Sequence, residues 1–203
     1  MFEGFLVDTL IYWHVLNRRS FPWRDQTDPY RVFVAEFFLQ KTPAERVSII
    51  FKRFITDYPT TKDLSNATFE KIVSEYPNLG LFKRIRWIIE SSHLIETEFH
   101  SSIPDNKESL MKLPGIGDYT SSAILCFAFN KRIKIVDSNV IRLYCRFFNI
   151  TKEEVYRKSQ RLLPKDKYKE YNEAILDFPS LICKKKPQCK ICPLNIKCKY
   201  FNL

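Results

Sequence analysis

The chain has 203 residues, 45% of them hydrophobic and including 17 phenylalanines and 10 tyrosines, which is enough apolar surface to build a core and argues against a disordered chain. Its 33 lysines and arginines outnumber its 23 aspartates and glutamates, for a formal charge of +10, and that balance points to a polyanion such as nucleic acid or an anionic surface. Met1 to Trp13 carries Glu3 and Asp8 inside its apolar stretch, and charges recur every few positions thereafter, so neither a signal peptide nor a bilayer-crossing run of about 20 apolar residues is expected, and the chain reads as a soluble cytoplasmic monomer.

Apolar residues recur with helical period along most of the chain and only short runs such as Arg132 to Val136 look extended, so the expected fold class is all-α. The pattern predicts helices over 3–17, 30–41, 43–57, 67–76, 81–98, 106–112, 118–129, 138–148, 152–163 and 167–182, in one domain or two small ones. Pro22, Pro29, Pro43, Pro59, Pro77, Pro104 and Pro114 fall at or near the joints, where a residue without an N–H costs least. In the second helix, Glu36 is the one charged residue of the run Val32 to Leu39. A buried carboxylate without a partner is costly, or protonates instead, so such a residue usually has a task; the alternative is a glutamate on the outer face of an amphipathic helix.

Further along, the only glycines besides Gly4 and Gly80 are Gly115 and Gly117, set within three residues of each other. Leu113-Pro114-Gly115-Ile116-Gly117 joins one helix to the next, which opens with Asp118-Tyr119-Thr120. Glycines there can take positive φ and let a phosphate approach the backbone, with N–H groups at the start of the second helix pointing at the anion; an ordinary glycine-rich helix connection is the alternative. Asp137 follows the apolar stretch Ile133 to Val136 and opens the helix from Asn139, a place where aspartate serves as an N-cap. Four of the six cysteines lie in the last 21 residues as Cys183-x5-Cys189-x2-Cys192-x5-Cys198. That spacing is equally compatible with tetrahedral zinc and a [4Fe–4S] cluster. Cys126 and Cys145 read as buried small hydrophobes. Lys184, Lys185, Lys186, Lys190, Lys197 and Lys199 surround the four ligands, as a basic loop for phosphates or as a solvated charge run.

LPGIGDYTSSAILCFAF followed by IVDSNVIRLYCRFF is similar to the hairpin and catalytic-aspartate region of the endonuclease III superfamily of base-excision DNA glycosylases. FPWRDQTDPYRVFVAEFFLQKT resembles the N-terminal segment shared by adenine and thymine mismatch glycosylases, and the cysteines stand in the family's place, although its first gap is usually one residue longer. The resemblance covers nearly the whole chain. It implies a six-helix module with a helix-hairpin-helix over 25–135, and a second helical unit from 1–24 and 136–203 that holds a [4Fe–4S] cluster on Cys183, Cys189, Cys192 and Cys198, with the active-site cleft between them.

The same resemblance implies the roles of individual residues. Asp137 stabilises the oxocarbenium-like sugar and positions water, Asn139 lies beside the sugar, and Glu36 reaches the extruded base. Tyr119 stands where strand-cleaving members carry an imine-forming lysine, so the reaction is monofunctional. Gly115, Gly117 and Thr120 meet phosphate, Gln40 and Lys41 meet the duplex, and Leu81 or Phe82 is the wedge that fills the vacated stack. The partner implied is double-stranded DNA with a mismatched or damaged base, and the location the nucleoid. Adenine enzymes tend to have a second glutamine after the position of Gln40, a Gly-Tyr-Tyr wedge and a further C-terminal domain. This chain has Lys41 and Gly80-Leu81-Phe82, and stops at Leu203. Thymine or uracil opposite guanine is therefore the expected substrate, with adenine opposite guanine or oxidised guanine as the alternative. A non-catalytic DNA-binding module with a zinc knuckle is the alternative from another class, and it has no need of Glu36 or Asp137.

Overall fold

A computed structural model describes residues 2–77 and 82–202, so the candidate wedge Leu81 lies outside the described residues. Among them the regular elements are helical and no strand occurs: α1 (Phe2–Asn17), α2 (Pro29–Leu39), α3 (Ala44–Asp57), α4 (Thr61–Ser65), α5 (Phe69–Glu75), α6 (Phe82–Glu98), α7 (Lys107–Lys112), α8 (Asp118–Phe127), α9 (Ser138–Phe148), α10 (Lys152–Leu162) and α11 (Tyr168–Leu181). Two 3₁₀ turns, Cys189–Ile191 and Asn195–Lys197, lie in the cysteine region. No helix among the described residues is long and apolar enough to cross a membrane.

Helix α4 is absent from the pattern-based expectation because five residues are too few to show a period; it forms where Thr60 caps the amide of Asp63 and Leu64 is fully buried. The run from Arg132 to Val136 pairs with no strand. Its backbone is held instead by side chains, with Asn172 Nδ2 donating to Ile133 O at 2.9 Å.

The chain divides into two compact units, Ser20–Lys131 and Met1–Arg19 with Arg132–Leu203; the sequence reading set the breaks after residues 24 and 135. In the first unit α2 is central, packed by α3, α6 and α8. Its Pro29 starts the helix and Asp28 accepts from Tyr30 N, and Tyr30 and every residue from Val32 to Phe38 are buried. A helix surrounded in this way needs apolar residues on all faces, which the sequence of α2 supplies.

In the second unit α1 packs against α11 and α10, and α9 packs against α11 and α10, around Leu6, Leu10, Phe147, Tyr171 and Phe178. The buried acids of α11 meet basic side chains from α1 and its end: Glu173 lies 3.2 Å from His14 Nε2 and 2.9 Å from Arg18 Nε, and Asp177 lies 3.6 Å from Arg19 Nη1.

Candidate active site

Glu36 sits mid-helix with 4% of its surface exposed, so the outer-face alternative does not hold. Its Oε2 is buried without a hydrogen-bond partner. Burial pushes the carboxyl up to about 8, with the charge of Arg24 pulling partly back, so the group is mainly protonated at neutral pH. A neutral carboxylic acid both donates and accepts, which an ionised one cannot do.

The end of α2 is tied to the hairpin. Gln40, its C-cap, donates from Nε2 to Gly115 O at 3.0 Å. The next residue, Lys41, is exposed and left-handed at φ 55. Ser91 Oγ donates to Pro114 O at 3.0 Å.

The two hairpin glycines differ. Gly115 has φ 81, and a Cβ on it meets Trp87 Cε3 at 2.7 Å and Phe37 Cε1 at 3.1 Å. Gly117 has φ −104 and ψ −169, ordinary extended backbone, and a Cβ there meets nothing within 4 Å. Positive φ, allowed to both by the sequence, thus applies only to Gly115. Gly117 caps α8 without a side chain, which leaves the approach to that helix end bare. Asp118 in the first turn is paired with Lys107, which offsets a charge unfavourable to an incoming anion. Thr120 is buried, so its side chain is not presented at the surface beside the hairpin. Tyr119 is half-buried in the same turn. Phe82, the first residue of α6, is 55% exposed.

Asp137 is the N-cap of α9 and also more than a cap. Its Oδ1 accepts from Val140 N at 2.7 Å, and its Oδ2 accepts from Asn139 Nδ2 at 2.8 Å. Further along α9, Arg142 donates to Cys183 O at 2.9 Å and Pro179 O at 3.0 Å. Arg146 donates to Lys184 O at 2.6 Å and Lys185 O at 3.0 Å. The one-residue-short cysteine loop is therefore braced through its carbonyls. Neither arginine nor Arg84 was singled out from sequence. The available signal was a cation on the apolar face of a helix, as at Arg84 beside Ile85 and Ile88, or two arginines one turn apart.

Cys183, Cys189, Cys192 and Cys198 line one recess together with Leu143, Phe147 and Leu194, and all six cysteines are free thiols. Burial raises Cys192 to about 11, with the other three thiols raising it further against the Leu194 amide. Burial raises Cys198 as well, and four thiols gathered in one recess are a donor set that fits a metal group. Among the described residues no three metal-ligating side chains converge so as to hold one ion. Cys126 is fully buried, while Cys145 is only partly so.

Comparison with known proteins gives a consistent result. The family model described as HhH-GPD superfamily base excision DNA repair protein matches residues 34–165. A thymine/uracil-DNA glycosylase of Methanothermobacter thermautotrophicus is 29% identical over 98% of this chain and 93% of its own length. An adenine DNA glycosylase of Buchnera aphidicola subsp. Baizongia pistaciae is 32% identical over 96% of this chain, which spans 58% of that protein. The solved structure of a thermostable thymine-DNA glycosylase superposes with a TM-score of 0.94 and 28% identity, covering 99% of this chain and 97% of its own.

Proposed function

The chain belongs to the HhH-GPD superfamily of base excision DNA repair proteins, and on that premise we propose that it is a monofunctional DNA N-glycosylase removing thymine or uracil mispaired with guanine. The observation that carries this reading is Glu36, a buried and mainly neutral carboxylic acid on a helix whose end is tied to the hairpin. Substrate choice rests on the relatives named for thymine and uracil, and on Lys41 following Gln40.

In this mechanism the hairpin backbone at Gly117 and the start of α8 grips a phosphate, and Phe82 helps to fill the vacated stack. Glu36 donates a hydrogen bond or proton to the extruded base, making it a better leaving group as the C1′–N bond breaks. Asp137 stabilises the positive sugar, and water attacks C1′ and passes its proton to Asp137. Asn139 holds the carboxylate that does this. The products are free base and an abasic strand. With Tyr119 in place of an amine, no imine forms. Cys183, Cys189, Cys192 and Cys198 would hold a [4Fe–4S] cluster, whose bonding to the thiolates would order the lysine-rich loop. Iron in the purified protein is the expected result of metal analysis, and zinc in its place would overturn the cluster reading.

The adenine reading is the second, favoured by the 32% identical relative. Duplexes containing G·T, G·U, A·G or adenine opposite oxidised guanine, treated with alkali after incubation, decide between them. Cleavage on the thymine and uracil strands is expected, and cleavage confined to adenine strands overturns the substrate reading. Absence of any excision by folded, DNA-binding protein favours the non-catalytic module. Borohydride should trap no adduct with the wild type, and should trap one with Tyr119→Lys; trapping by the wild type overturns the monofunctional assignment.

A further inference from the structure

A buried arginine on α6 stands apart from the residues assigned above. Arg84 is 5% exposed, and its Nη1 reaches Phe37 O at 3.2 Å, Phe38 O at 2.6 Å and Gln40 O at 2.7 Å. The last carbonyls of a helix have no partner within it, and a cation there is favoured by the helix dipole. Arg84 therefore closes the end of α2, the helix that carries Glu36.

The same face of α6 holds the hairpin. Trp87, three residues on, occupies the space that a Cβ on Gly115 would need, at 2.7 Å. Ser91, a further turn on, donates to Pro114 O at 3.0 Å. Spacing of three and then four residues places all three on one helical face. Gln40 closes the triangle, because the residue whose carbonyl Arg84 holds uses its own amide to hold Gly115 O at 3.0 Å. The left-handed backbone of Lys41, φ 55, is disfavoured for a residue with a side chain and persists where its surroundings over-determine it.

We infer that Arg84, Trp87 and Ser91 form a positioning clamp that locks the Glu36-bearing helix to the hairpin, so that the backbone gripping phosphate and the acid addressing the base move as one body. Arg84 is a positioning residue and touches no substrate. The functional part of this inference rests on the glycosylase reading; the mechanical part does not.

The test uses the full chain with Arg84→Lys, Arg84→Met and Gln40→Met, followed by backbone hydrogen exchange. Both Arg84 variants should exchange faster at residues 36–42 and also at 113–121, which Arg84 does not contact in the bonds above, while the Met1–Arg19 and Arg132–Leu203 unit keeps its protection. Arg84→Lys keeps the charge at the buried position, so the exchange test stands on that variant alone if Arg84→Met is not recovered folded. Excision should fall about 100-fold in Arg84→Met, the scale of a misplacement of about 1 Å, with partial recovery in Arg84→Lys. Adding Gln40→Met to Arg84→Met should cost little beyond the worse single variant, since both cut one relay. Faster exchange confined to 36–42, uniform loss of protection, or additive losses each overturn the clamp. If the wild type excises nothing, the glycosylase reading fails while the exchange pattern still decides the clamp.

Discussion

Glu36 and Asp137 are both carboxylates assigned to one reaction, yet α2 and α9 surround them in opposite ways. Around Glu36 there are phenylalanines, a fully buried position and an oxygen with no partner, and the proton is retained up to about 8. Around Asp137 there is a helix start and an amide, so each oxygen accepts a hydrogen bond and the side chain remains partly open to solvent. Environment leaves one carboxyl without a donor and gives the other two, without any change of chemical type. The comparison also shows that only Asp137 sits where stability alone would place it: an unpartnered buried acid costs free energy, whereas a cap contributes it.

The sharpest way to break the comparison is Asp137→Asn. Asparagine caps a helix about as well as aspartate, so stability should hold, while excision should fall by about 10³-fold or more with the loss of the charge facing the sugar. Single-turnover excision beside thermal melting checks this, and near-normal turnover reduces Asp137 to a cap.

Glu36→Gln should cost about 10²-fold in excision, and wild-type activity should decline as pH rises past about 8, where the acid loses its proton. Stability should fall with rising pH as well, over a lower window. Between the ordinary value of 4.5 and about 8 the folded chain keeps a proton that the unfolded chain has lost. Wild-type stability therefore falls with rising pH across that window, by at most about 1.4 kcal/mol per pH unit. The glutamine variant lacks this slope and should be the more stable protein at pH 8, as measured by urea unfolding at several pH values. Equal slopes would mean that Glu36 ionises within the fold.

A smaller effect separates the glycines. Gly115→Ala should lose about 1–3 kcal/mol of unfolding free energy through strained φ and contact with Trp87. Gly117→Ala should stay within about 0.5 kcal/mol yet weaken duplex binding, because its methyl projects only into the open approach. Unchanged binding by Gly117→Ala would remove the phosphate from that approach.

Much of this molecule is legible in local patterning. Ten of the helices among the described residues follow from apolar period, proline placement and a cap such as Asp137, because those signals act within one or two turns. Glu36 was conspicuous for the same reason, as a charge in a run with no polar face. Helix α4 was not legible, since a five-residue element owes its existence to Leu64 docking into the unit and not to a repeat.

Only tertiary packing decided the rest. That Gly115 needs its missing side chain while Gly117 does not depends on Trp87 and Phe37 arriving from other helices. That Thr120 is buried and not presented at the surface depends on what packs against α8. Likewise, a spacing of cysteines only places four thiols in order along the chain, whereas their gathering in one recess with Leu143, Phe147 and Leu194 is the work of packing. Arg84 is the clearest case: its three acceptors lie 44 to 47 residues away in the chain, and bonds over that distance leave no periodic mark for sequence to display.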